Sequence, residues 1–338
     1  MLLLLLALWA GLERIGLALP PPHLAGLHGP LMVAAFFGAL IALERAVGLG
    51  EAWTFLAPLL MVLGGLLAAA GVGFGLLVLL VGALFYLAVA GYIYRLQPAD
   101  FTLTMGLGAG LLFLGDLAWL AARPAWAALL WAGYLVLVVT GERLELSRFL
   151  PRPKRAGAVF AVSEGIALLG LLAYPLAPAL SRVAGLGFSL LAVWLLRHDV
   201  AWVNLRREGV HRFMGASLLS GYFWLLAGGL LLIVLGLPPA GPVYDAVLHG
   251  VFLGFVFPMV FGHAPVIFPA VLRLSIRFHP LYYLPLLLLH LSLLVRIYAD
   301  LAGALALRPG AGLGNALAVL LYFAIAGPVS LRARRRGT

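Results

Sequence analysis

Eight histidines carry most of the chemistry open to this chain, because none of its 338 residues is cysteine. Without thiols there are no disulfides, thiolate metal sites, iron–sulfur clusters or covalently attached c-type haem. Imidazole remains the commonest protein ligand for haem iron and for copper. His28 and His249 stand in like settings, His28-Gly29 and His249-Gly250. Glycine there permits close approach of a flat macrocycle and equally permits plain helix packing. Met32 follows His28 by four residues and shares its helix face, as a soft copper ligand or as core filler. His263 lies 14 residues after His249, about 21 Å along one helix and within about 40° of the same face. His290 is a further reserve ligand, and Arg296 suits a haem propionate or a structural pair with Asp245 or Asp300. Asp116 and Glu164 are the carboxyl groups placed for a proton path, or for a hydrogen bond that ties two helices together. No paired catalytic carboxylates, nucleophile arrangement or phosphate loop stands out.

The elements that must position these residues are apolar segments: roughly 2–20, 28–47, 53–71, 74–94, 101–121, 125–142, 157–175, 178–197, 211–236, 243–268, 280–300 and 311–331. Apolar residues make up 64% of the chain and charged residues 10%, with a mean hydropathy of +1.11. An ordinary soluble domain carries about 25% charged residues. Segments of about 20 apolar residues match the bilayer core. In hydrocarbon each must satisfy its own backbone groups as a helix. The sequence therefore predicts an all-α integral membrane protein, one polytopic domain over 1–338 with twelve transmembrane helices. The first segment lacks a basic start and is interrupted by Glu13-Arg14, so it reads as helix 1 rather than a signal peptide.

The charge pattern orients the helices. Of 22 Lys and Arg residues, 17 fall after even-numbered segments or at the C-terminus. Only Arg123, Arg182 and Arg308 follow odd-numbered ones, and Arg14 and Arg296 lie within segments. This positive-inside bias predicts an inner-membrane protein with both termini cytoplasmic. The net charge of +10 then follows from topology and anionic lipid, and nucleic acid is not an expected partner. On this topology His28 and His249 open helices 2 and 10 at the outer side. His290 is near the middle of helix 11, and His263 toward the inner end of helix 10. Leu43-Glu44-Arg45 and Glu142-Arg143-Leu144 both end helices on the inner side, too short a likeness to establish a repeat.

Two segments carry a resemblance: His28-Gly29-Pro30-Leu31-Met32, and His249 to Pro265, reading HGVFLGFVFPMVFGHAP. They resemble the NnrS family, twelve-helix haem- and copper-containing membrane proteins linked to the nitric-oxide response, whose helix 2 motif is richer in His. The resemblance implies haem b held between helices 2 and 10 by His28 and His249, copper as a further metal, and nitric oxide or quinol as partners. The pair His249 and His263 is similar to the double-haem helices of b-type cytochromes, which implies a second haem. More distantly, the chain resembles the catalytic subunits of haem–copper oxidases and nitric-oxide reductases. Their twelve-helix bundle also holds a low-spin haem by His residues of helices 2 and 10. Segments 6 and 7 here contain no His, so a binuclear oxygen-reducing centre is not expected. Two other readings stand beside this one. One is a proton-coupled secondary transporter using Asp116 and Glu164, and the other a cofactor-free membrane assembly subunit.

Overall fold

Segments rich in Leu, Ala and Gly, with no strand-like alternation, form helices and nothing else. The computed structural model describes residues 1–151, 153–272 and 278–334, and no strand occurs among them. Eleven helices of the described residues are long and apolar enough to cross a membrane. We label α1 Leu2–Arg14, α2 Pro30–Leu49, α3 Ala52–Ala69, α4 Gly75–Leu96, α5 Asp100–Leu120 and α6 Pro124–Leu146. They are followed by α7 Ala156–Ala173, α8 Pro178–His198, α9 Gly209–Leu235, α10 Pro242–Pro265, α11 Pro280–Leu301 and α12 Leu305–Ala326. This is the make-up of a multi-pass membrane protein. The member that departs from the expected twelve is α1. Its 13 residues span only about 20 Å, against a hydrocarbon core of about 30 Å. Glu13-Arg14 closes its apolar run, Gly16 turns the chain at a φ of 103°, and Pro20, Pro21 and Pro22 prevent the helix from resuming.

Two compact units make up the chain, Met1–Glu142 and Arg143–Thr338. Each is held by backbone-to-backbone approach at small residues. In the first unit, a Cβ on Gly64 of α3 would lie 2.5 Å from the Leu79 nitrogen of α4. In the second, a Cβ on Gly170 of α7 would lie 2.0 Å from the Ala184 nitrogen of α8. Such contacts let dispersion hold helices together in lipid, where no hydrophobic force acts between them. Leu59, Val62 and Leu63 of α3 point outward, as a lipid-facing stripe does.

Two helices contain π segments. Ahead of α2 a 3-10 turn, Pro22–Leu27, leads through His28 and Gly29 into the π-helix Pro30–Phe37 that opens α2, and then α-helix Gly38–Leu49. In α10, α-helix Pro242–Val251 gives way to π-helix Phe252–Val256 before α-helix resumes at Phe257. Pro258 accounts for the second. Its ring would clash with the carbonyl four residues back, at Gly254, and wider i→i+5 bonding relieves that clash. These turns end the simple angular counts. The shared face expected for His249 and His263 assumed 100° per residue, and the π segment lies between them.

Candidate functional site

The polar side chains buried among these apolar helices gather into a few groups, each within one unit. In the first unit, His28 Nδ1 lies 2.8 Å from the Ala7 carbonyl of α1. A carbonyl only accepts, so the proton sits on Nδ1 and the lone pair on Nε2. Gly11 makes room for the ring, since a Cβ there would lie 2.8 Å from Cε1. Gly29, by contrast, faces Trp131, whose Cζ3 would be 3.0 Å from an added Cβ. The space beside Gly29 is filled by indole, so this glycine serves packing rather than a macrocycle. Met32 is buried within the π segment.

In the second unit, His249 Nδ1 lies 2.9 Å from the Asp245 carbonyl oxygen and 3.2 Å from Asp245 Oδ1. Its lone pair is thereby also on Nε2. A Cβ added to Gly250 would lie 3.5 Å from the Gly228 Cα of α9, again helix against helix. Asp245 is the hub of an ion cluster. Arg296 donates to it twice, Nε to Oδ2 at 2.7 Å and Nη2 to Oδ1 at 2.9 Å. Arg308 reaches Asp245 at 3.5 Å and Asp300 at 2.7 Å. Arg296 thus makes the structural pair with Asp245 that the sequence offered as one of its roles.

The two reserve histidines have their lone pairs engaged. Arginine only donates, so His263 Nε2 accepts from Arg143 Nη1 at 3.0 Å, while Nδ1 donates to the Met259 carbonyl at 2.7 Å. Indole also only donates, so His290 Nδ1 accepts from Trp224 Nε1 at 3.0 Å. The proton of that ring is then on Nε2, which is buried with no partner among the described residues. In this arrangement the lone pair of each ring accepts from a donor, Arg143 for His263 and Trp224 for His290. For copper, no group of three or more His, Asp or Glu side chains among the described residues could hold a metal ion.

Sequence reasoning missed a third group. Arg143 counts as an inner-loop cation by position, yet it is 1% exposed. Its Nε and Nη2 bind Asp199 Oδ2 and Oδ1 at 3.0 and 3.2 Å. Asp199 also accepts from Ser147 Oγ at 2.9 Å and from the Ala201 backbone N–H at 2.7 Å. Arg45 likewise pairs with Glu142 inside the first unit. So two of the 17 cations behind the positive-inside count face protein. Arg152, Arg273, Arg277, Arg335 and Arg336 of that set lie outside the described residues. The signal that could have found these pairs was the Glu142-Arg143 dipeptide at a helix end. Asp116 accepts from Trp131 Nε1 at 2.9 Å in the first unit, and Glu164 is buried in α7 of the second.

Apolar spans with ion pairs sealed among them define a polytopic helical membrane protein. The chain belongs to the family described as Domain of unknown function (DUF8744), whose model matches residues 1–330. No curated protein matches the chain.

Proposed function

We propose that this protein binds haem b, which His28 and His249 would hold, and serves an NnrS-like role in nitric-oxide or respiratory redox chemistry. One observation carries the reading. His28 and His249 each have Nδ1 against a carbonyl oxygen of their own unit, 2.8 Å from Ala7 and 2.9 Å from Asp245, so the lone pair of each ring is on Nε2. A metal-ligating histidine is held in that way, its second nitrogen donating to a carbonyl or carboxylate that fixes tautomer and ring orientation. Both are followed within three residues by a π segment, a distortion frequent at functional sites. When bound, haem held by both histidines would supply one-electron chemistry. The chain's own contribution is ring orientation, through the Ala7 carbonyl for His28 and the Asp245 carbonyl and carboxylate for His249.

Optical spectra of the purified protein, oxidised and dithionite-reduced, test this. The expected result is a Soret band with sharp reduced α bands, lost in His28→Ala and in His249→Ala but retained in His263→Ala and His290→Ala. A colourless protein, purified under haem-retaining conditions, overturns the reading and leaves proton-coupled transport as the case to pursue.

The same proposal places the basic loops on the cytoplasmic face. The absence of cysteine makes every introduced thiol unique. Cysteine in place of Arg148 should resist a membrane-impermeant maleimide in intact cells, and cysteine in place of Arg123 should react. The reverse pattern would invert the topology.

A further inference from the structure

A line of buried polar groups in the first unit remains outside the haem reading. Asp116 of α5 is 5% exposed, and its Oδ1 takes the Trp131 indole hydrogen. Its Oδ2 is buried with no hydrogen-bond partner among the described residues. Tyr134 lies one turn along α6 from Trp131, about 4.5 Å on the axis. It is fully buried, and its hydroxyl also has no partner among the described residues. The Tyr134 ring meets that of Tyr86 on α4 edge-on, with centroids 6.2 Å apart. Tyr134 is in electrostatic reach of Asp116, Tyr86, Glu142 and Arg45, and Tyr86 of Arg45, Glu142 and Glu44. The series ends at the Arg45–Glu142 pair, whose side chains are 19% and 21% exposed.

Packing alone does not account for this series. A buried hydroxyl or carboxyl without a partner costs roughly 1–3 kcal/mol, and phenylalanine or leucine would fill the same space without that cost. Polar groups at membrane depth are rare and mark ion or proton pathways. The order of exposure points the same way, from a partly exposed ion pair at one end to a sealed carboxyl at the other. Asp116 already has its structural bond in Trp131, so Oδ2 is left to take a proton.

We propose that Glu142, Tyr86, Tyr134 and Asp116 form a proton-uptake track within the first unit, with Asp116 Oδ2 as its terminal acceptor. A proton entering at the Arg45–Glu142 end is relayed by the two hydroxyls through bridging water, because the Tyr134 hydroxyl and Asp116 Oδ2 make no direct hydrogen bond to one another; each hydroxyl accepts on oxygen and releases its own hydrogen onward. The net change is one carboxylate converted to a carboxylic acid and one proton removed from solution. No electron moves. Glu164, named with Asp116 as a carboxyl for a proton path, belongs to the second unit and has no part in this track. The proposal stands independently of the haem, and its test reads a carboxyl rather than a pigment.

Infrared spectroscopy of the full chain in lipid discs tests it. A protonated-carboxyl stretch should be present in wild-type protein and absent in Asp116→Asn. Asp116→Glu, which keeps the acid, should show a displaced band and so separate loss of the group from loss of the fold. On transfer to deuterated buffer the band should shift quickly in wild type and slowly in Tyr134→Phe and in Glu142→Gln. Tyr222→Phe, which removes a buried hydroxyl of the second unit, should exchange like wild type. Exchange in Tyr134→Phe as fast as in wild type would overturn the track, as would the lack of any carboxyl band that depends on Asp116.

Discussion

Replacing Arg143 with alanine is expected to destabilise the protein by about 3–5 kcal/mol, because it strands a carboxylate in a sealed, apolar environment. Asp199 would keep its bonds from Ser147 and the Ala201 backbone N–H but lose both guanidinium contacts. His263 would lose its donor at Nε2 as well. Thermal unfolding in detergent reads the effect. The informative comparison is the double variant, Arg143→Ala with Asp199→Ala, which removes both charges and should recover much of the loss. A double variant as unstable as the sum of the two singles would show that the charges act separately, against a buried pair.

The second large effect is expected at Asp245. Asparagine there keeps the size of the side chain but leaves Arg296 and Arg308 facing one another without their shared carboxylate. It also removes the negative charge 3.2 Å from His249 Nδ1. Loss of such a supporting partner typically lowers metal affinity by about 10–100-fold. If His249 ligates haem, titration of the haem-free variant with haem should show a fall of that order. Arg296→Gln should fall less, because the Asp245 carboxylate still faces the ring. Equal haem affinity in Asp245→Asn and wild type would detach Asp245 from the cofactor and leave it an ion-pair hub alone.

Helix positions were legible in the sequence because each is set by a local quantity, the length of an apolar run between Gly, Pro and charge. Eleven of the twelve segments appear as full-length helices near the expected bounds. The exception, α1, failed on the same local grounds, since Glu13-Arg14 and Gly16 cut an apolar run that was counted through to residue 20. The individual histidines were legible as well, being rare polar groups in apolar segments. Their partners were not. Whether a lone pair faces a donor depends on which helices adjoin, and nothing local to His263 names Arg143, 120 residues earlier. Arg143 was misplaced for a related reason, as a cation at a helix end reads alike whether it meets water, lipid headgroups or a buried aspartate. Arg45 and Glu142 show the converse. Their like dipeptides were too short to establish a repeat, and the physical relation between them is that one charge meets the other.

The π segment of α10 bears on how any substitution series along that helix is to be plotted. An uninterrupted α-helix has one phase, and a single helical wheel sorts its residues into faces. Here the hydrogen-bond register changes at Phe252 and changes back at Phe257, so residues 242–251 and those after 256 belong to two wheels set at an offset. A periodicity fitted across both would average the two phases and blur the faces that each wheel shows. Fitted apart, each half has its own protein-facing stripe, and His249 and His263 are judged against different ones.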